Sequence, residues 1–246
     1  MSKVDFLIIG TQKGGTTALH NMLSLHPKVN LSSEKELHYF DNEKRYNSKE
    51  LFEYHNHFNF EEGCITGEST PAYLYYESCP QRIWKYNPNI KLIILLRNPI
   101  KRAYSHWNMN KKLDWVEGEF TDVFTLEEAS FKKSRPFQDK RHSYLERGYY
   151  TEQLRRYYRF FPKQNIHIVK SEDFFSNTSQ ELMSIYDFLG LKSNINIDFD
   201  EVNIHNRSYA SKMSSKEFRQ LKHIYKFEIK QLERMLGWDC SDWLEE

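Results

Sequence analysis

The sequence predicts an α/β fold, a single domain over residues 1–246 in which helices flank a central parallel sheet. Three observations carry the prediction. Val4–Ile9, Lys91–Leu96 and Ile166–Val169 are short and apolar nearly throughout, the pattern of strands covered on both faces. Segments with helical spacing of apolar residues alternate with them. No repeat, low-complexity tract or Gly/Ser/Pro-rich linker divides the chain.

Taken in order, Val4–Ile9 ends in Gly10, a residue suited to a sharp exit from a strand. From about Thr16, Ala18, Leu19, Met22, Leu23 and Leu25 mark a helix that stops near His26-Pro27. Lys91–Leu96 is closed by Asn98-Pro99, and further helical patterns cover Gln81–Tyr86, Ile100–Lys111, Thr151–Phe160 and Gln180–Leu189. Thr178-x-x-Glu181 and Ser214-x-x-Glu217 both read as capping boxes, the second opening the last long helix.

Composition narrows the function. The net charge of +1 gives no global field for nucleic acid or an anionic membrane, so anion binding must come from local geometry. An aromatic share of 15% argues against disorder. Cys64, Cys79 and Cys240 are too scattered for a disulfide framework or a zinc site, which fits a reducing compartment. Phe6–Ile9 is far too short to span a membrane and lacks the flanks of a signal peptide. The expectation is a soluble, cytoplasmic protein without nucleic-acid or membrane partners. An anchor on a longer natural chain is compatible with the same residues, and nothing sets an oligomeric state.

In a parallel sheet, ligands sit beyond the carboxyl ends of the strands. That rule selects Gly10–Thr17 and Arg97, each directly after a predicted strand. Gly10-Thr11-Gln12-Lys13-Gly14-Gly15-Thr16-Thr17 joins a strand to a helix, which makes the architecture P-loop-like. Its glycines admit a phosphate close to the backbone, and the helix start offers N–H groups and a positive dipole end. Lys13 adds a mobile cation, and Thr16 and Thr17 add hydroxyls.

The nearest rival pattern is the triphosphatase loop G-x-x-x-x-G-K-[ST]. Gly10 and Gly15 keep its glycine spacing, but Thr16 stands at the lysine position and Lys13 lies inside the loop. Phosphoryl transfer also needs a carboxylate for magnesium, commonly at a strand end. Lys91–Leu96 ends in Arg97 instead. A sulfuryl group carries less charge than a phosphoryl group, and lysine and amide donors can handle it without metal.

These residues resemble a known family. Phe6-Leu7-Ile8-Ile9-Gly10-x-Gln12-Lys13-x-Gly15-Thr16-Thr17-Ala18-Leu19, followed by Leu25-His26-Pro27, is similar to the opening of sulfotransferases that use 3′-phosphoadenosine-5′-phosphosulfate (PAPS). The resemblance is greatest to the heparan sulfate N- and O-sulfotransferase branch and its bacterial relatives. It continues through Glu36–Asp41, Glu68–Tyr73, Arg97–Ser105, Arg147–Tyr150, Phe160–Pro162, Glu172-Asp173, Phe188–Leu191 and Leu236–Trp238, in the family's order.

The resemblance implies roles for particular residues. The loop Lys13, Gly14, Gly15, Thr16, Thr17 and Ala18 would hold the 5′-phosphosulfate, with Lys13 stabilising the departing phosphate oxygen. Arg97 and Ser105 would hold the 3′-phosphate. Glu36, in a Glu-x-x-x-Phe segment, would be the catalytic base, and His38, as a neutral imidazole, is the competing base. On a strand, Glu36 and His38 would share a face. Taken alone, Glu36 within Ser-Glu-Lys-Glu-Leu reads as a solvated charge; the resemblance reverses this and selects the base.

Ser69 stands where many relatives carry lysine, which puts any acceptor contact at that position in doubt. Tyr73, Tyr149 and Tyr150 read either as pocket walls or as core. Arg207 and Lys212 fall where relatives close a basic loop over the nucleotide, and they read equally as surface charges. Lys132, Lys133, Arg135, Lys140 and Arg141 form either a basic lip or a solvated loop.

The expected reaction moves a sulfuryl group from PAPS to a hydroxyl or amine, releasing 3′,5′-ADP with no metal. The acceptor would be a small molecule or a saccharide, in natural-product tailoring or surface-glycan synthesis. A P-loop phosphoryl-transfer enzyme and an inactive nucleotide-binding relative are the alternatives.

Overall fold

Lys91–Leu96 forms a strand over the span predicted, because Leu92, Ile93, Ile94, Leu95 and Leu96 are all fully buried and can be covered only from two sides. The computed structural model describes residues 2–48, 50–134, 138–192, 209 and 212–246. The chain divides into two units, residues 1–96 with 155–205, and residues 97–154 with 206–246.

The first unit holds the sheet. Its strands are β1 (Phe6–Gly10), β2 (Val29–Leu31), β3 (Ile65–Ser69), β4 (Lys91–Leu96) and β5 (Ile166–Lys170). All pair in parallel in the order β2-β3-β1-β4-β5. Chain order reverses beside β1, so the loop after β1 leaves at the sheet's switch point, where α/β sheets bind ligands. Alternate residues share a face of a strand. Phe6, Ile8, Ile93, Leu95 and Val169 pack with Ala18, Leu19, Met22 and Leu23 of α1 (Thr16–Ser24). Leu182, Ile185, Tyr186 and Leu189 of α9 (Thr178–Leu189) complete that core. Each such apolar side chain contributes about 1.5–3 kcal/mol. The unit also carries α2 (Glu43–Asn47), α3 (Leu51–His55), α4 (Cys79–Tyr86) and α8 (Ser171–Ser176).

The second unit is built on α5 (Pro99–Lys112), α6 (Val123–Ser134) and α10 (Ser215–Leu236); α7 (Tyr150–Tyr158) is split by sequence between the two units. The Ser214 capping box forms: its hydroxyl accepts from the Glu217 amide and the Glu217 carboxylate accepts from the Ser214 amide. Gly237, left-handed at φ 72°, closes that helix. Glu228, buried on α10, accepts from the Thr151 amide at 2.7 Å and the Thr151 hydroxyl at 2.9 Å.

Several expectations are corrected. β1 begins at Phe6 rather than Val4, whose amide donates to the Tyr86 hydroxyl at 2.8 Å. β2 and β3 were not expected; they are short and carry Asn30, Thr66, Glu68 and Ser69. The Thr178 box does not form. Asn177 precedes the helix, and the Thr178 hydroxyl bonds back to the Phe174 carbonyl at 2.9 Å, because α8 ends only two residues earlier.

Candidate functional site

The loop after β1 is fixed by its own backbone. The Thr11 amide donates to the Leu95 carbonyl at 2.8 Å, and the Gly14 amide to the Thr11 carbonyl at 2.9 Å. The Ser171 hydroxyl donates to the Gly14 carbonyl at 2.7 Å. Gly14 is required by proximity, since a Cβ there would lie 2.6 Å from the Leu95 carbonyl oxygen. Gly15 is required by conformation, at φ 102°. Lys13 is left-handed at φ 72°, unusual for a residue with a side chain.

Gly15 is also the N-cap of α1, so no side chain caps the helix, and its first turn holds no acid. The amides of Thr16, Thr17 and Ala18 open the helix with the positive end of its dipole, a ready seat for an anion. Thr16 is buried, Thr17 exposed, and Lys13 half-buried beside them.

A second cluster follows β2. Glu36 and His38 are not on a strand; both are left-handed, at φ 63° and 52°. The Glu36 amide is held by the Ser69 carbonyl at 3.0 Å and the Ser32 amide by the Gly67 carbonyl at 3.0 Å, so the segment follows the edge of β3. Its turns bring the two side chains together, with His38 Nε2 3.7 Å from Glu36 Oε2. On the other side His38 Nδ1 lies 2.8 Å from Asp41 Oδ2. Lys35 Nζ donates to Glu36 Oε1 at 2.6 Å.

Charge in this cluster follows from the pairing. Burial acts to raise the Glu36 pKa, but hydrogen bonding from His38 and the charge of Lys35 outweigh it and bring it to about 2. Hydrogen bonds to Asp41 and Glu36 raise His38 to about 9. His38 is therefore a cation at physiological pH, which corrects the neutral imidazole expected from the sequence. His20, on α1, goes the other way: burial, then the charge of Lys35, lowers it to about 4.

Glu68, at the end of β3, is fully buried and accepts from the hydroxyls of Tyr54 (2.9 Å), Thr70 (2.8 Å) and Tyr73 (3.0 Å). Burial raises its pKa to about 7. Tyr73 and Tyr150 are fully buried, so their core reading holds, whereas Tyr149 is exposed. Ser69 is also fully buried.

In the second unit, Arg97 lies just before Asn98, the residue that opens α5. Asn98 caps that helix, its side-chain oxygen accepting from the Ile100 amide at 2.9 Å. Ser105 lies on the helix and is nearly buried. Both bond the hydroxyl of Tyr209. Burial acts to raise that hydroxyl's pKa, but the bond to Ser105 and the charge of Arg97 lower it. Lys212 is exposed, as are Lys132, Lys133, Lys140 and Arg141; Arg207 and Arg135 lie outside the described residues. Lys132 pairs with Glu128 and Arg141 lies over Trp115, arrangements of a solvated surface.

Sequence reasoning named Lys13–Ala18, Glu36, His38, Arg97 and Ser105 as site residues and did not name Lys35 or Asp41 as such; the structure places these two against Glu36 and His38. The signal for Asp41 was its spacing, three residues after His38. Lys35 gave no signal beyond standing next to Glu36.

Comparisons with known proteins bear on family and fold. The family model for the sulfotransferase domain matches residues 3–237. The chain is 33% identical over 190 residues to mouse (Mus musculus) heparan sulfate glucosamine 3-O-sulfotransferase 5, covering 77% of this chain and 54% of that protein. It is 34% identical over 188 residues to human (Homo sapiens) heparan sulfate glucosamine 3-O-sulfotransferase 3B1, covering 76% and 46%. The chain therefore spans about half the length of these curated relatives. A sulfotransferase from Alicyclobacillus acidocaldarius superposes with a TM-score of 0.84 over 99% of both chains, at 24% identity. Mouse sulfotransferase SULT7A1, solved with PAP, superposes at 0.60 over 96% of this chain and 89% of that one, at 14% identity. The fold likeness, the relatives and the family model converge: the chain belongs to the sulfotransferase family.

Proposed function

We propose that the protein transfers a sulfuryl group from PAPS to an acceptor hydroxyl or amine and releases 3′,5′-ADP. The observation that carries this reading is the uncapped start of α1, with Lys13 beside it, on the loop that leaves the sheet at its switch point. The amides of Thr16–Ala18 would receive the 5′-phosphosulfate, and Lys13 would stabilise charge on the departing phosphate oxygen. Arg97 and Ser105 would recognise the 3′-phosphate, the group absent from ordinary adenine nucleotides.

Glu36 is the base in this reading. As the acceptor oxygen bonds to sulfur, the sulfur–phosphate oxygen bond breaks in line, and the acceptor's proton passes to the Glu36 carboxylate. His38, as a cation braced by Asp41, orients that carboxylate rather than competing with it. No metal is required: Arg97 follows β4 where a magnesium carboxylate would be expected, and both Glu68 oxygens already accept hydroxyl protons.

The relatives named for heparan sulfate glucosamine favour a glycan hydroxyl as acceptor over an unrelated small molecule. The odd number and wide spacing of Cys64, Cys79 and Cys240 support a reducing, cytoplasmic setting.

The test is an acceptor screen with ³⁵S-labelled PAPS. Lys13→Ala should nearly abolish transfer, and Glu36→Gln should lower turnover while leaving 3′,5′-ADP affinity within about twofold. Arg97→Ala should weaken 3′,5′-ADP and leave 5′-AMP unchanged. Unchanged turnover in Glu36→Gln would remove the base assignment.

A further inference from the structure

The carboxylate assigned as base is not idle in space. Its Oε1 is bonded to Lys35 Nζ at 2.6 Å, and its Oε2 faces the His38 cation at 3.7 Å. Among the described residues, His38 is the one of these cations with a second acid against it. His38 is tied to Asp41, whose carboxyl group is nearly buried. Lys35 is ion-paired with Glu36, and its neighbour His20 is kept neutral by burial. The two cations therefore differ in what they can do. His38 is fixed, whereas Lys35 sits on a flexible four-carbon stem and can exchange one anion for another.

We propose that Lys35 is a specificity-determining latch: it occupies the Glu36 carboxylate in the empty site and transfers to an anionic group on the arriving acceptor. The inference rests on the reading of Glu36 as base. While the latch is closed, the oxygen nearest Lys35 is taken and the carboxylate is a poor proton acceptor. An acceptor carrying a carboxylate or sulfate near its reactive hydroxyl draws Lys35 away and frees that oxygen. A neutral acceptor of the same shape leaves the latch closed. The site would then select anionic acceptors through the strength of the base as well as through attraction.

Water is the simplest neutral nucleophile, so hydrolysis of PAPS to sulfate and 3′,5′-ADP reads the latch without a known acceptor. Water's oxygen bonds to sulfur, the bond to the phosphate oxygen breaks, and the proton goes to Glu36. Lys35→Met should raise PAPS consumption roughly tenfold, a fraction of the 10²–10⁴-fold that a general base contributes. Lys35→Arg should behave as wild type. Adding Glu36→Gln to Lys35→Met should erase the gain. The acid limb of the Lys35→Met pH profile should lie at higher pH than that of wild type, because losing the cation raises the base's pKa.

Total PAPS consumption is then measured with methyl β-D-glucuronide and methyl β-D-glucoside, a pair differing at one carboxylate. Wild type should favour the glucuronide about tenfold, and Lys35→Met should bring the ratio near one by gaining on the glucoside. If Glu36→Gln lowers consumption but Lys35→Met does not raise it, the latch is wrong and the base reading stands. If Glu36→Gln changes nothing, the base reading itself fails. Lys35→Gln, closer in polarity, repeats the test should the Met variant lose its native circular dichroism.

Discussion

His38 Nδ1 and Asp41 Oδ2 lie 2.8 Å apart, with the aspartate nearly buried and the imidazole half-exposed, and this bond keeps a positive charge beside Glu36. Its hydrogen bonds raise His38 to about 9. A histidine raised in the folded state stabilises the fold below its unfolded pKa, about 6.5, and loses that contribution as pH rises through its folded value. Wild type should therefore lose stability between about pH 6.5 and 9. Asp41→Asn should flatten that loss. An NMR titration of the imidazole should show the midpoint falling from about 9 toward the ordinary range in the variant.

Glu68 gives a second pH dependence with a different window. Burial holds its pKa near 7, so the folded protein binds a proton that the unfolded chain releases above about 4.5. Stability should fall by about 3 kcal/mol as pH rises from 4.5 to 7 on account of this group. Glu127, also raised to about 7 by burial, acts in the same range. The difference between wild type and Glu68→Gln in urea unfolding at pH 4.5 and 7 isolates Glu68.

Gly14→Ala should damage the nucleotide loop. The added methyl group would meet the Leu95 carbonyl oxygen at 2.6 Å and the Thr11 Cγ2 at 2.8 Å, and the first of these is backbone held in the sheet. We expect a loss of about 1–3 kcal/mol in stability and a large loss of 3′,5′-ADP affinity. Thermal unfolding and calorimetric titration measure the two separately.

Ser214→Ala should lower stability by about 1 kcal/mol without changing transfer chemistry. The serine caps α10 through the Glu217 amide and takes no part in the anion-binding loop. Chemical denaturation alongside the labelled-PAPS assay checks both halves of the statement.

What the sequence disclosed depended on how each part is stabilised. β4 and α10 were legible because apolar burial and capping leave marks in the residues themselves. β3 was hidden because Thr66, Glu68 and Ser69 are buried with polar side chains, which three hydroxyl donors make tolerable at Glu68. Thr178 carried the letters of a capping box, but the preceding helix took its hydroxyl. The contact of Lys35 with Glu36 was unreadable and Asp41 showed only in its spacing from His38, because left-handed backbone at Glu36 and His38, with no glycine to announce it, sets how these side chains meet.

The two amide bonds that tie Ser32 and Glu36 to the carbonyls of Gly67 and Ser69 make residues 32–36 a cassette with a defined register. Ser32 and Glu36 are indexed on Gly67 and Ser69 of β3, while the loop after β1 is indexed separately on Leu95 of β4. On the proposed reading, exchanging this cassette between relatives would change the surroundings of Glu36 and leave the backbone anchor of the loop after β1 untouched.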